Sequence, residues 1–277
     1  VASFLFARAA GGRWLVRIED LDAPRVLPGC AEEQIALLAR FGLVSDAPIL
    51  RQSLRRAAYD RAFETLTRRG AVYPCRCSRR EVAEAASAPQ GAPAARYPGT
   101  CRERSIEPGQ VRAWRLRVPP GSISFTDSVF GRVAGDVAVE IGDFVVARER
   151  PVRSYAYQLA VVVDDAFQRV TQVVRGADLL DSTPRQIVLG RELGLAIPRY
   201  AHVPVVVSRS GAKLSKRAGA RALAEAAARG REGEALSAVL SLLGQPSSLS
   251  EAVAGFDHSR IPVAPEIEVP QSFDDVS

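Results

Sequence analysis

Apolar and polar positions follow two rhythms along this chain, one helical and one extended, and the two interleave. Val1 to Ala10 reads as the end of a helix closed by Gly11-Gly12. Arg13 to Ile18 predicts a buried parallel strand running into the acidic turn Glu19-Asp20-Leu21-Asp22. Ala31 to Phe41 has helical apolar spacing and stops at Gly42, and a second helix, about Leu54 to Arg69, stops at Gly70. Tyr73 to Arg104 carries cysteines and is rich in Pro, Gly and Ala through its middle. Ser122 to Val146 alternates apolar residues with turn signals, the pattern of short antiparallel strands. Leu159 to Val163 predicts a further buried strand ending in Asp164-Asp165, and Thr183 to Leu193 a helix stopped by Gly194. His202 to Val207 predicts an apolar strand followed by a basic loop. From Ala218 the chain is Ala/Arg-rich and helical to Gly244, then Pro/Ser-rich and expected to fray toward Ser277.

Strands alternating with helices predict an α/β fold with a mainly parallel sheet. Ligands of such sheets bind beyond the carboxyl ends of strands. Glu19, the Asp164-Asp165 pair and the basic loop all follow predicted strands, so one crevice is expected to collect them. With 47% hydrophobic and 25% charged residues, the composition excludes a disordered tail, a collagen and a coiled coil. No run of about 18 apolar residues is present to span a membrane. Four cysteines in 277 residues are too few for a disulfide scaffold, which points to a reducing cytoplasm. The chain has no methionine and opens inside a helix-like run, so further coding sequence is expected before Val1.

Charge sharpens the picture less by its sum, +6, than by its distribution. Every basic residue is arginine except Lys213 and Lys216, which share the segment Lys213-Leu214-Ser215-Lys216-Arg217. Lysine is a mobile point charge where arginine is a broad planar fork. A loop with Gly211 and these lysines can fold over a triphosphate and stabilise the charge that develops as pyrophosphate leaves. Otherwise it is a solvated basic hairpin. Glu19 suits a substrate ammonium or a helix cap. Arg175 suits a substrate carboxylate or a surface ion pair. Tyr157 reads by itself as a core aromatic. Cys75, Cys77 and Cys101 fall one short of a structural zinc set, with Tyr97 the local oxygen candidate, or else they are unrelated thiols. Cys30 stands alone and reads as a small buried hydrophobe.

Six ordered motifs resemble the glutamyl-tRNA synthetase group of class I aminoacyl-tRNA synthetases. They are Arg17-Ile18-Glu19-Asp20-Leu21-Asp22 with Pro24-Arg25, Tyr73-Pro74-Cys75-Arg76-Cys77-Ser78-Arg79 and Tyr97-Pro98-Gly99-Thr100-Cys101-Arg102. The others are Tyr157 through Asp165, Val174-Arg175-Gly176-Ala177-Asp178 and Lys213-Leu214-Ser215-Lys216. The resemblance runs from about Val1 to Leu243. It is to the short, queuosine-modifying members, because only about 60 residues follow the lysine loop, too few for an anticodon-binding domain.

The resemblance implies a Rossmann-like parallel sheet in a catalytic domain at 1–217, a zinc-binding insertion at 73–104 and a short helical C-terminal extension at 218–277. It implies ATP-dependent activation of L-glutamate to glutamyl-adenylate without tRNA, with Mg2+, then transfer to queuosine in the anticodon of tRNA(Asp). Glu19, Tyr157 and Arg175 would bind glutamate. Lys216, supported by Lys213, would contact ATP, and Cys75, Cys77, Tyr97 and Cys101 would hold one structural zinc. A cytoplasmic monomer is expected. In the group, a strand and a histidine–glycine loop contacting ATP and glutamate lie upstream of what is Val1 here. The alternatives are a truncated tRNA-charging synthetase and an inactive, zinc-stabilised RNA-binding relative.

Overall fold

In the computed structural model the described residues are 1–22, 24, 26–78, 80–82, 96–149, 151–207 and 223–268. The chain opens with α1 (Ala2–Ala9), β1 (Arg17–Ile18), α2 (Cys30–Arg40), β2 (Leu50–Arg51) and α3 (Arg56–Arg68). β3 (Val72–Cys75), β4 (Ala113–Leu116), β5 (Ser122–Asp127), β6 (Gly131–Asp136), α4 (Val137–Glu140), β7 (Val145–Arg148) and β8 (Ser154–Tyr155) follow. Then come α5 (Tyr157–Phe167), β9 (Gln172–Gly176), α6 (Thr183–Leu193), β10 (Arg199–Val203), β11 (Val205–Val207), α7 (Glu232–Leu242), α8 (Leu249–Ala254) and β12 (Glu266–Glu268). Residues 223–228 form another helical segment.

The architecture is α/β with parallel strands, distributed over several small sheets. β1 pairs with β2 and β11 with β12, each in parallel. A four-stranded sheet runs β6-β5-β10-β9, in which β5, β10 and β9 are parallel and β6 closes a hairpin on β5. The antiparallel sheet β3-β4-β7-β8 is hydrogen-bonded separately, carries Cys75 and buries one face in the main core. The main core gathers Tyr59, Phe63 and Leu66 of α3, Leu116, Val146, Leu159 and Ala160 of α5, and Ile187 to Leu189 of α6. Side chains buried to this degree each contribute about 1.5–3 kcal/mol of apolar transfer.

Glycines stop the helices where expected: Gly42, Gly70 and Gly194 take φ of 73°, 65° and 70°, the left-handed region that releases a helix. Four expectations are corrected. Leu159 to Val163 is not a strand but part of α5, so Asp164-Asp165 lies in that helix rather than beyond a strand. A five-residue apolar run reads the same in a buried helix as in a buried strand, and here α5 is covered by α3 and α6. The strand expected over Arg13 to Ile18 pairs only at Arg17–Ile18. The strand expected over His202 to Val207 is split, because Pro204 has no N–H to pair, and β10 and β11 enter different sheets. Past Gly244 the chain does not fray at once: α8 forms, capped by Ser248 on the Glu251 amide, and β12 pairs with β11.

Candidate functional site

Two clusters of converging side chains stand out. The first is centred on Arg175 in β9. In-register parallel pairing sets His202 of β10 beside it. Arg175 Nε donates to His202 Nε2 at 3.1 Å, and one terminal nitrogen donates to Gln186 Oε1 at 2.8 Å and to Tyr157 Oη at 3.4 Å. The other donates to Thr183 Oγ1 at 2.6 Å and to the Leu179 carbonyl at 3.3 Å. The positions come from the fold: Tyr157 opens α5, Thr183 opens α6, and Gln186 lies three residues further along the same helical face.

Arg17 joins this region to the acidic turn. It donates to Asp165 Oδ1 at 2.8 Å and Gln168 at 3.1 Å, and it meets the exposed Glu19 at 3.5 Å. Burial pushes the Tyr157 phenol above its ordinary pKa; Arg175 opposes the rise and Glu19 adds to it. Tyr157 therefore sits in the fields of both Arg175 and Glu19. Asp164, wholly buried, turns the other way and accepts from Gln52, Arg55 and Tyr59 at 2.9, 2.6 and 2.7 Å. Burial raises the Asp165 carboxyl, with Arg17 offsetting part of the shift. The two acids tie α5 to neighbouring elements; they do not face one crevice together.

The second cluster is the cysteine set. The sulfurs of Cys75, Cys77 and Cys101 lie within 4.8 Å of one another, with Cys77 and Cys101 at 3.5 Å. Tyr97 Oη is 3.5 Å from Cys75 Sγ and 3.8 Å from Cys77 Sγ, and it accepts the Cys101 amide at 2.8 Å. Tetrahedral zinc with ordinary bond lengths sets sulfurs about 3.8 Å apart and a sulfur about 3.5 Å from an oxygen. The Cys77–Cys101, Cys75–Tyr97 and Cys77–Tyr97 separations lie within a few tenths of an ångström of those values. The Arg115 guanidinium lies 3.7 Å over the Tyr97 ring and donates to Cys75 Sγ at 3.3 Å. Without a cation, burial and the neighbouring thiols push Cys77 up to about 12. Burial also acts to raise Cys101, but hydrogen bonds led by the Arg76 backbone carry it below its ordinary value. A divalent ion would hold all three as thiolates. Asp143 anchors the unit, accepting from Tyr73 and Arg102 at 2.7 and 2.6 Å and from the Val118 amide at 2.8 Å.

Of the residues expected from sequence, Tyr157 and Arg175 meet directly, Glu19 contacts Arg17 and acts on the Tyr157 phenol through its charge, and the four proposed metal ligands meet. Lys213 and Lys216 lie outside the described residues. Sequence reading missed Arg17, Asp127, Thr183, Gln186 and His202. The rarity of histidine was the one signal that could have marked His202.

The model for class I tRNA synthetases (E and Q), catalytic domain, matches residues 1–275. A glutamyl-Q tRNA(Asp) synthetase of Burkholderia mallei is 52% identical over 231 residues, 82% of this chain and 77% of that protein. One from Geobacter sulfurreducens is 49% identical over 278 residues, 95% and 88% of the two chains. Among solved structures, a glutamate tRNA ligase from Elizabethkingia meningosepticum in complex with its amino acid superposes with a TM-score of 0.77 at 22% identity. That match covers 99% of this chain and 64% of that one, just under two thirds of its length, and speaks for the fold. The chain belongs to the class I tRNA synthetase family (E and Q), in its glutamyl-Q tRNA(Asp) synthetase branch.

Proposed function

We propose that the protein activates L-glutamate with ATP, without needing tRNA, and transfers the glutamyl group to queuosine in the anticodon of tRNA(Asp). The observation that carries this reading is the contact of Arg175 in β9 with Tyr157 at the start of α5, with Glu19 near enough to act on the same phenol through its charge. A guanidinium matches a substrate carboxylate, an exposed carboxylate matches a substrate ammonium, and the phenol between them orients the ligand. In activation, a carboxylate oxygen of glutamate attacks the α-phosphate of ATP and pyrophosphate leaves. Lys216, supported by Lys213, would offset the charge that develops on the leaving group, and Mg2+ would accompany the triphosphate.

Cys75, Cys77, Tyr97 and Cys101 would hold one zinc ion. Four protein donors leave no open position for chemistry, so the metal's part is to hold the Tyr73–Arg104 segment together. The reading places the protein in the cytoplasm as a monomer. Glutamate-dependent ATP–pyrophosphate exchange tests it: exchange without tRNA, followed by glutamate transfer to queuosine-bearing tRNA(Asp), is the expected result. A strict tRNA requirement for exchange would instead favour a charging synthetase. No exchange under either condition would favour an inactive RNA-binding relative.

A further inference from the structure

The glutamate reading leaves four buried polar side chains beside Arg175 without a part: Asp127, Thr183, Gln186 and His202. Hydrogen-bond chemistry settles where the His202 proton sits. Nδ1 lies 2.7 Å from Asp127 Oδ2, and a carboxylate oxygen only accepts, so Nδ1 carries the proton. Nε2 then offers a lone pair, and two donors face it: Arg175 Nε–H at 3.1 Å and the Thr183 hydroxyl at 3.2 Å. The Thr183 hydroxyl closes the ring by accepting from Arg175 at 2.6 Å. Asp127 is itself held in place through Oδ1, which accepts the amides of Val129, Phe130 and His202 at 2.9, 3.0 and 3.2 Å. Burial acts to raise its carboxyl, but the His202, Phe130 and Val129 donors outweigh it and keep the group ionised.

We infer that Asp127 and His202 form a tautomer-locked dyad that positions Arg175 to receive the glutamate carboxylate. Both are positioning residues: His202 acts through Arg175, and Asp127 acts through His202. The dyad and Thr183 fix the Nε edge of the guanidinium. The longest contact, 3.4 Å to Tyr157, lies on a terminal nitrogen. A carboxylate arriving there meets an arginine whose rotamer is already set, which removes an ordering cost from binding. The inference rests on the reading of Arg175 as the glutamate-binding group.

Asp127→Asn tests it. The asparagine carbonyl keeps the three backbone amides, while its NH2 takes the place of Oδ2 and donates to His202 Nδ1. The imidazole proton must then move to Nε2, where it opposes Arg175 Nε–H. The expected result is a KM for glutamate in pyrophosphate exchange raised about ten- to a hundredfold, with the KM for ATP unchanged. Histidine 15N NMR reads the tautomer directly, because the chain has only His202 and His258. Wild type should show His202 protonated at Nδ1 and Asp127→Asn at Nε2. A wild-type proton on Nε2, or a proton shift that leaves the glutamate KM unmoved, overturns the inference. Should Asp127→Asn not fold, Thr183→Val should raise the glutamate KM about tenfold and Thr183→Ser restore it; an unchanged KM in Thr183→Val counts equally against it. Wild type without glutamate-dependent exchange, but with the Nδ1 proton in place, defeats the reading of Arg175 itself and with it the dyad's role toward glutamate.

Discussion

The cysteine and arginine clusters are assembled in opposite ways. The cysteine cluster draws its four donors from two short stretches, Cys75 to Cys77 and Tyr97 to Cys101, and adds Arg115 from the adjoining strand. The arginine cluster draws on β5, α5, β9, α6 and β10, with Asp127 and His202 75 residues apart in sequence. Donors meant for an ion can be spaced by a local turn and closed by the ion. A planar fork that must present a set orientation needs walls from several directions, and only a folded core supplies them.

If the two clusters are independent, the largest effects separate cleanly. Arg175→Ala should lower kcat/KM for glutamate exchange by about a hundredfold or more and leave the metal content intact by elemental analysis. Cys101→Ser should do the reverse, losing metal and loosening the Tyr73–Arg104 segment to proteolysis while glutamate affinity holds. Loss of both properties in either variant would break the comparison. Next in size is Asp164→Ala, which strips the buried partner of Arg55, Gln52 and Tyr59. It should cost about 3–5 kcal/mol in denaturant unfolding, and it tests whether α5 depends on this hub more than on its apolar face.

Arg115→Met should weaken metal affinity about 10- to 100-fold by removing the donor to Cys75. Combined with Thr183→Val, its stability effect should add to within about 0.5 kcal/mol, as distant sites do; a larger coupling would mean that the clusters communicate. The smallest effect is a control outside both. Hydrogen bonding to Arg8, then to the Trp14 amide, lowers Asp46 to about 2. Because the folded pKa is depressed, the stabilisation is present above the ordinary aspartate value near 3.8 and is lost as pH falls toward 2. Asp46→Asn should flatten that acid limb in pH-dependent unfolding without moving metal content or exchange.

Legibility in the sequence follows the same division. Helix ends at Gly42, Gly70 and Gly194 were readable because the left-handed residue is chosen locally. Cys75 with Cys77, and Tyr97 with Cys101, were readable as local donor pairs, while the joining of the two stretches, at least 20 residues apart, was implied by the family resemblance rather than by spacing. Leu159 to Val163 was misread because a short apolar run carries no period, and with it went the placement of Asp164 and Asp165. His202 was passed over because nothing near it in sequence resembles a partner: Asp127, Thr183 and Arg175 arrive from other elements.

The sequence by itself determined the α/β class, the helix stops at Gly42, Gly70 and Gly194, the local donor pairs and the motifs that mark the family, since each depends on backbone preferences or on residues close along the chain. Only the tertiary structure decided that α5 is a helix, that Pro204 divides two sheets, and that Asp127, His202 and Thr183 surround Arg175. Those outcomes depend on strand register and on which elements share a core, and register is a property of pairs of strands that neither strand encodes alone.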